Sequence, residues 1–205
     1  MLSHQLWPLG RAQVAITLEG NWKSGKAYDL HTVSSTHLGT DESGHDRFEN
    51  IRSPMGELLY QLKYKYDKSK LDEIVMLLDS IKGVEKFDLI IPIPATKKDR
   101  PIKPVELIAI GLGKRRAVKV IADALSNEGD EELKGITDPI ARKELLEEAI
   151  KLNAPLERYD GKKILLVDDL YRSGSTLRVA TDLLYNKGKA AQVSVLTMTK
   201  TRSNR

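Results

Sequence analysis

The feature that most constrains this chain is the run Ile164-Leu-Leu-Val-Asp-Asp-Leu-Tyr-Arg-Ser-Gly-Ser-Thr176. Four consecutive apolar residues that end in two adjacent carboxylates read as a strand buried on both faces, and a strand so buried belongs to a parallel sheet covered by helices on each side. Such a strand delivers Asp168 and Asp169 to its C-terminal edge, where open α/β sheets bind ligands. The small hydroxyl-rich segment Arg172-Ser173-Gly174-Ser175-Thr176 follows, and an amphipathic stretch from Leu177 to about Asn186 follows that. Backbone N–H groups and three hydroxyls would then converge at a helix N-terminus, a natural phosphate seat. Gly174 suits a loop that wraps an anion, because glycine adopts positive φ at least steric cost. Acids able to bind a diol, set beside a phosphate cradle, point to a ribose 5-phosphate site.

A strand ending in a double Asp also occurs in response-regulator receiver domains. A receiver needs most of a ~100-residue domain after that pair, and too few residues follow Asp169 for one.

The rest of the chain alternates strand and helix signals. Val14–Leu18 and Tyr28–Val33 read as short strands of a hairpin, and Gly39–Gly44 as a loop. Met55, Leu58, Leu59, Leu62 and Tyr66 recur at helical spacing after Ser53-Pro54, and Leu71, Ile74, Val75, Leu78 and Ile81 repeat the pattern before Gly83. Phe87–Pro94 reads as a buried strand. Helical patterns follow over Val105–Leu112, Ala117–Leu125 and from Asp138-Pro139 to Ile150, with a final strand over Gln192–Thr199. The predicted fold is an α/β core with a mainly parallel sheet flanked by helices over residues 54–205, and a small strand-rich N-terminal hood over residues 1–53. Trp7 and Trp22 are assigned to the core of that hood; stacking of Trp22 on an acceptor base is the lesser alternative.

Composition narrows the function. The chain has 205 residues, no cysteine and a formal net charge of +4, which excludes disulfides and thiolate metal sites and fits a cytoplasmic protein. No apolar stretch approaches the ~20 residues of a membrane span, and the N-terminus lacks the pattern of a signal peptide. The four histidines, at positions 4, 31, 37 and 45, have no liganding spacing, and His31 and His37 read as hydrogen-bonded or exposed strand residues. Gly111-Leu-Gly113-Lys114 lacks the frame and the Ser/Thr of a Walker loop.

On these residues the chain resembles the type I phosphoribosyltransferases, and within them a ComF-like branch. The resemblance rests on the Asp-Asp-Leu-Tyr-Arg-Ser-Gly-Ser-Thr segment, the closing Val195–Ser203, Leu62-Lys-Tyr64 and Ile91-Pro-Ile-Pro94, landmarks that span roughly residues 22 to 205. It implies that Asp168 and Asp169 hold the ribose hydroxyls of phosphoribosyl pyrophosphate (PRPP), directly or through Mg²⁺, as the catalytic acids. It also implies that Arg172 to Thr176 hold the 5-phosphate, and that Ala95, Thr96, Lys97, Lys98 and Arg100 form the pyrophosphate loop.

The activity so implied is transfer of a 5-phosphoribosyl group from PRPP to an unidentified acceptor, with no membrane role and with oligomeric state left open. Two departures stand out. The four-cysteine zinc ribbon that starts many ComF-like proteins has no counterpart in a sequence without cysteine. A basic residue and Thr found in the family shortly before the segment matching Glu132–Ile136 are replaced by Ser126-Asn-Glu-Gly-Asp130. The second departure supports an alternative, a catalytically silent PRPP-sensing regulator or adaptor, linked to DNA uptake. A nucleic-acid accessory role has only the basic tail Lys200–Arg205 behind it.

Overall fold

The structure is a computed structural model that describes residues 15–96, 101–129, 136 and 138–202. Its elements run β1 (Ile16–Thr17), β2 (Ser24–Leu30), β3 (Thr32–Thr40), β4 (Asp46–Arg52), α1 (Pro54–Tyr64), α2 (Lys70–Leu77) and β5 (Leu89–Pro92). They continue through α3 (Pro104–Arg116), β6 (Lys119–Val120), β7 (Leu125–Asn127), α4 (Pro139–Ala149), β8 (Ile150–Leu152), β9 (Lys163–Tyr171), α5 (Ser175–Asn186) and β10 (Gln192–Lys200). One six-stranded sheet has the order β1-β2-β10-β9-β5-β6. All its neighbouring pairs are parallel except β1 with β2. The mainly parallel α/β architecture expected from the motif strand is the one observed.

Alternation along β9 explains why its apolar run has no polar face. Ile164 and Leu166 enter one core with Leu177, Val179, Ala180 and Leu184 of α5. Leu165 and Val167 enter a second core with Met55, Leu59 and Leu62 of α1, Ile74 of α2, and Ile108 and Leu112 of α3. A strand sandwiched between two helix layers must be apolar at every position, since successive side chains point to opposite faces.

Three expectations need correction. Ala117–Leu125 is not a helix: α3 runs on to Arg116, Ala117 takes a left-handed conformation (φ 54°) that stops it, and Lys119 and Val120 pair with Leu89 and Ile90. The β-branched Val120 serves a strand there, flanked by Val118 and Ile121, because pairing with β5 outweighs local helical spacing. A division at residue 53 does not match the sheet, since β2 pairs with β10 from Ser24↔Ser194 to Leu30↔Lys200. Among the described residues up to 53, the antiparallel hairpin β3–β4 stands outside that sheet, with Gly39–Gly44 at its tip. Trp22 is accordingly a residue of the main core, its Nε1 donating to the Leu18 carbonyl (2.9 Å), and Trp7 lies outside the described residues. Gly111 and Gly113 sit inside α3, where they let Val75 and Val120 approach.

Helix α1 is docked with unusual closeness. Ser53 caps it by accepting from the Gly56 N–H (3.0 Å) and donates its own hydroxyl to the Leu30 carbonyl (2.5 Å); a cap of this kind stabilises by about 1 kcal/mol. A Cβ on Gly56 would stand 2.3 Å from the His31 carbonyl oxygen. Alanine in a helix normally gains ~1 kcal/mol over glycine, but here the overlap should cost about 1–3 kcal/mol. Gly56→Ala is therefore expected to lower Tm in thermal unfolding followed by circular dichroism. An unchanged or higher Tm would refute the close docking of α1.

Candidate functional site

The carboxyl edge of the sheet opens between β9 and β5. From β5 the chain leaves through α3 on one face to β6, and from β9 through α5 on the other face to β10, so the two crossovers depart in opposite directions. The crevice at such a reversal is where open α/β sheets bind ligands. The register puts Val167 beside Pro92, and the Ile93 N–H donates to the Val167 carbonyl (2.9 Å). Pro94, Ala95 and Thr96 thus leave the sheet next to Asp168. Ala95 is half-buried and Thr96 exposed; Lys97, Lys98 and Arg100, the charged part of the proposed pyrophosphate loop, lie outside the described residues.

Strand β9 does not end at the acids but continues to Tyr171, with Leu170 beside Thr199 and Tyr171 beside Lys200. Because they fall inside the strand, Asp168 follows the α5 side of the sheet and Asp169 the α1 side. The two carboxylates straddle the sheet edge. The Asp169 N–H donates to Asp168 Oδ1 (2.8 Å). Burial, and then the negative charge of Asp169, pushes the Asp168 carboxyl up to about 8.

Asp169 has a partner that the sequence reading did not place in the site. Lys63, from the last turn of α1, sets its Nζ 2.5 Å from Asp169 Oδ2, with side chains only 23% and 14% exposed. Its single advance signal was membership of the Leu62-Lys-Tyr64 landmark. Also missed were His31 and Thr199. Thr199 Oγ1 donates to the Asp169 carbonyl (3.1 Å) and lies 3.2 Å from His31 Nδ1. With the hydroxyl proton spent on that carbonyl, the imidazole donates through Nδ1. Burial, then Arg52 and more weakly Lys63, hold His31 below its ordinary pKa, with Asp169 acting in the opposite sense. Both histidines are hydrogen-bonded, as expected, but His31 sits in the bend between β2 and β3 and only His37 lies in a strand, its Nε2 3.1 Å from Asp46 Oδ1 on the exposed hairpin.

The segment after β9 forms the turn expected of it. Gly174 has φ 77° and precedes the first residue of α5. A Cβ there would also meet the Tyr171 ring at 2.6 Å, so both backbone and space demand glycine. Arg172 and Ser173 are exposed, Ser175 and Thr176 half-buried, and the Ser173 and Ser175 hydroxyls are 2.9 Å apart. The turn therefore stands open at the start of a helix, with hydroxyls and backbone N–H groups suited to an anion. Chemically, the edge offers oxygen acceptors for hydroxyl groups on one side and donors for a phosphate on the other.

The phosphoribosyl transferase domain matches residues 101–204. The chain belongs to the phosphoribosyltransferase family, and it is similar to a curated relative. That relative is the competence protein ComFC of Bacillus subtilis (strain 168), 32% identical over 117 residues, which are 56% of this chain and 45% of that protein. The chain thus spans less than half the length of the curated relative it matches. Among solved structures, adenine phosphoribosyltransferase of Thermoanaerobacter pseudethanolicus is similar with a TM-score of 0.44 and 15% identity, over 74% of this chain and 88% of that one. Purine phosphoribosyltransferase of Pyrococcus horikoshii gives 0.42 and 16%, over 65% and 84%.

The family implies a divalent cation. Among the described residues no group of three or more His, Cys, Asp or Glu side chains is placed to hold a metal. Two carboxylates alone cannot cage Mg²⁺, but that ion is commonly bound by one or two carboxylates together with substrate oxygens. The donor set fits a cation that arrives with its substrate.

The raised pKa of Asp168 makes stability depend on pH. The folded protein retains this proton up to about pH 8, whereas the unfolded chain releases it near 4. Between those values the native state binds more protons, so this group's contribution falls as pH rises from about 4 to 8 and is constant above. Asn at 168 still accepts from the Asp169 N–H and has no charge to bury. Asp168→Asn should therefore raise Tm by several degrees at pH 8 and by much less at pH 5, at roughly 2–4 °C per kcal/mol. Calorimetric scans at the two pH values would show this, and an equal shift at both would contradict it.

Proposed function

We propose that this protein binds PRPP in the cytoplasm and transfers its 5-phosphoribosyl group, with Mg²⁺, to an acceptor still to be identified, releasing pyrophosphate. The observation that carries this reading is the meeting of Asp168, Asp169 and the open turn from Arg172 to Thr176 at one sheet edge, beside the loop that leaves β5. In it, Arg172, Ser173, Gly174, Ser175 and Thr176 hold the 5-phosphate, while Asp168 and Asp169 hold the ribose hydroxyls.

Transfer replaces pyrophosphate at the anomeric carbon through an oxocarbenium-like state, as in glycoside chemistry. Two needs follow. The acids fix the ring so that the anomeric carbon faces the acceptor, and cationic groups neutralise the departing diphosphate. Ala95, Thr96, Lys97, Lys98 and Arg100 are assigned that second task, because their loop starts beside Asp168. Mg²⁺, when bound, supplies further neutralisation of the diphosphate.

A second reading has its own support. Where family members carry a basic residue and Thr, Ser126 and Asn127 belong to β7 and pair with Lys151 and Ile150 of β8, and the Ser126 hydroxyl donates to Asn153 Oδ1 (3.1 Å). Side chains engaged in packing this way favour a PRPP-sensing adaptor without turnover, in keeping with the competence function named for the relative. Release of pyrophosphate with any of a panel of bases or amines would exclude it.

Isothermal calorimetry with Mg²⁺-PRPP tests what both readings share. Wild type is expected to bind, and Asp168→Asn/Asp169→Asn to lose at least tenfold in affinity. Equal binding by both proteins, or none by either, would defeat the claim.

A further inference from the structure

Asp168 and Asp169 keep different company. Asp168 meets the backbone of its neighbour, whereas Asp169 carries a full ion pair with a side chain 106 residues away in sequence. That pair differs from the surface ones. Lys70 and Glu73, for example, are 31% and 54% exposed, and such contacts contribute little. Lys63 comes from a helix locked in place by the Ser53 cap, by the contact of Gly56 with the His31 carbonyl, and by Met55, Leu59 and Leu62 in the core. Its position next to the acid is thus imposed by α1 rather than chosen by a free side chain.

We infer that Lys63 is a tethered competitor for the acid pair: its ammonium holds Asp169 against free divalent cations, so that metal enters the site only with a substrate that brings its own oxygens. The inference rests on the PRPP reading for the identity of that substrate, while the competition itself rests on the 2.5 Å contact.

The argument is steric and electrostatic. A magnesium-type ion binds oxygen at about 2.0–2.1 Å, and Asp169 Oδ2 already has an ammonium at hydrogen-bond distance. The two cations cannot share that oxygen without strong repulsion, since like charges held close together in a partly buried site are poorly screened. A tethered group also acts at an effective concentration in the millimolar range or above, enough to oppose free divalent ions. His31 stands near the same carboxylate and adds no negative charge to attract a metal. A substrate complex differs from a bare ion because its phosphates and hydroxyls supply the ligands that two acids cannot. It also gives the displaced ammonium a new anion to face.

Manganese, used alone as the probe, tests this without PRPP. Free Mn²⁺ would be followed by electron paramagnetic resonance in titrations of wild type, Lys63→Met, Lys63→Arg and the double variant Lys63→Met/Asp169→Asn. Lys63→Met is expected to bind Mn²⁺ at least tenfold more tightly than wild type, Lys63→Arg to match wild type, and the double variant to lose the gain. Equal affinities in wild type and Lys63→Met, or a gain that survives in the double variant, would overturn the inference. Lys63→Gln provides the same reading should the Met variant fail to fold. Failure of wild type to bind Mg²⁺-PRPP in calorimetry would strike the functional proposal alone and leave the Mn²⁺ comparison standing.

Discussion

Strand β9 is the constraint on which the rest of the structure depends. Its apolar half can exist only between two helix layers, since Ile164 and Leu166 need one core and Leu165 and Val167 another. Burying four such side chains stabilises by roughly 1.5–3 kcal/mol each, and it fixes the strand's register against β5 and β10 on either side. The acids that follow inherit this rigidity. Their position does not depend on a loop finding its conformation, which is what a site needs if it is to hold a sugar ring in one orientation.

The same constraint creates the electrostatic problem that the site must solve. Two carboxylates at the end of a buried strand cannot both stay ionised cheaply. The protein answers each differently: Asp168 is pushed up to about 8 by burial and by its neighbour, and Asp169 receives Lys63. Without an added cation, the pair near neutral pH carries little net charge, and the attraction it can exert on a ligand is latent. Substrate recognition then consists of exchanging a proton and an ammonium for hydroxyls and the charges that accompany a diphosphate.

What could be read in the sequence follows the range of the interactions involved. The apolar run 164–167, the two acids and the spacing to Gly174 are local, and strand, turn and helix form there as expected. The Ser53-Pro54 start of α1 is local too, and its cap geometry is observed. By contrast, residues 117–125 carry helix-compatible spacing, but Lys119 and Val120 pair with a β5 some thirty residues earlier, so only tertiary context reveals a strand. Residues 24–30 looked like part of a separate hood because nothing near them announces β10 as their partner. Lys63 was visible as a landmark but not as a site residue, because its acid lies 106 positions away and no local pattern links an ammonium on one helix to a carboxylate on a distant strand.

These distant pieces meet in one polar junction. The His31 N–H donates to the Lys200 carbonyl and its own carbonyl accepts from the Ser53 N–H. Its imidazole reaches Thr199, whose hydroxyl holds the Asp169 carbonyl. A single residue therefore ties the end of β2, the end of β10, the base of the hairpin and the start of α1 to the strand that carries the acids. Because α1 also bears Lys63, the two partners of the 2.5 Å ion pair are positioned from the same point.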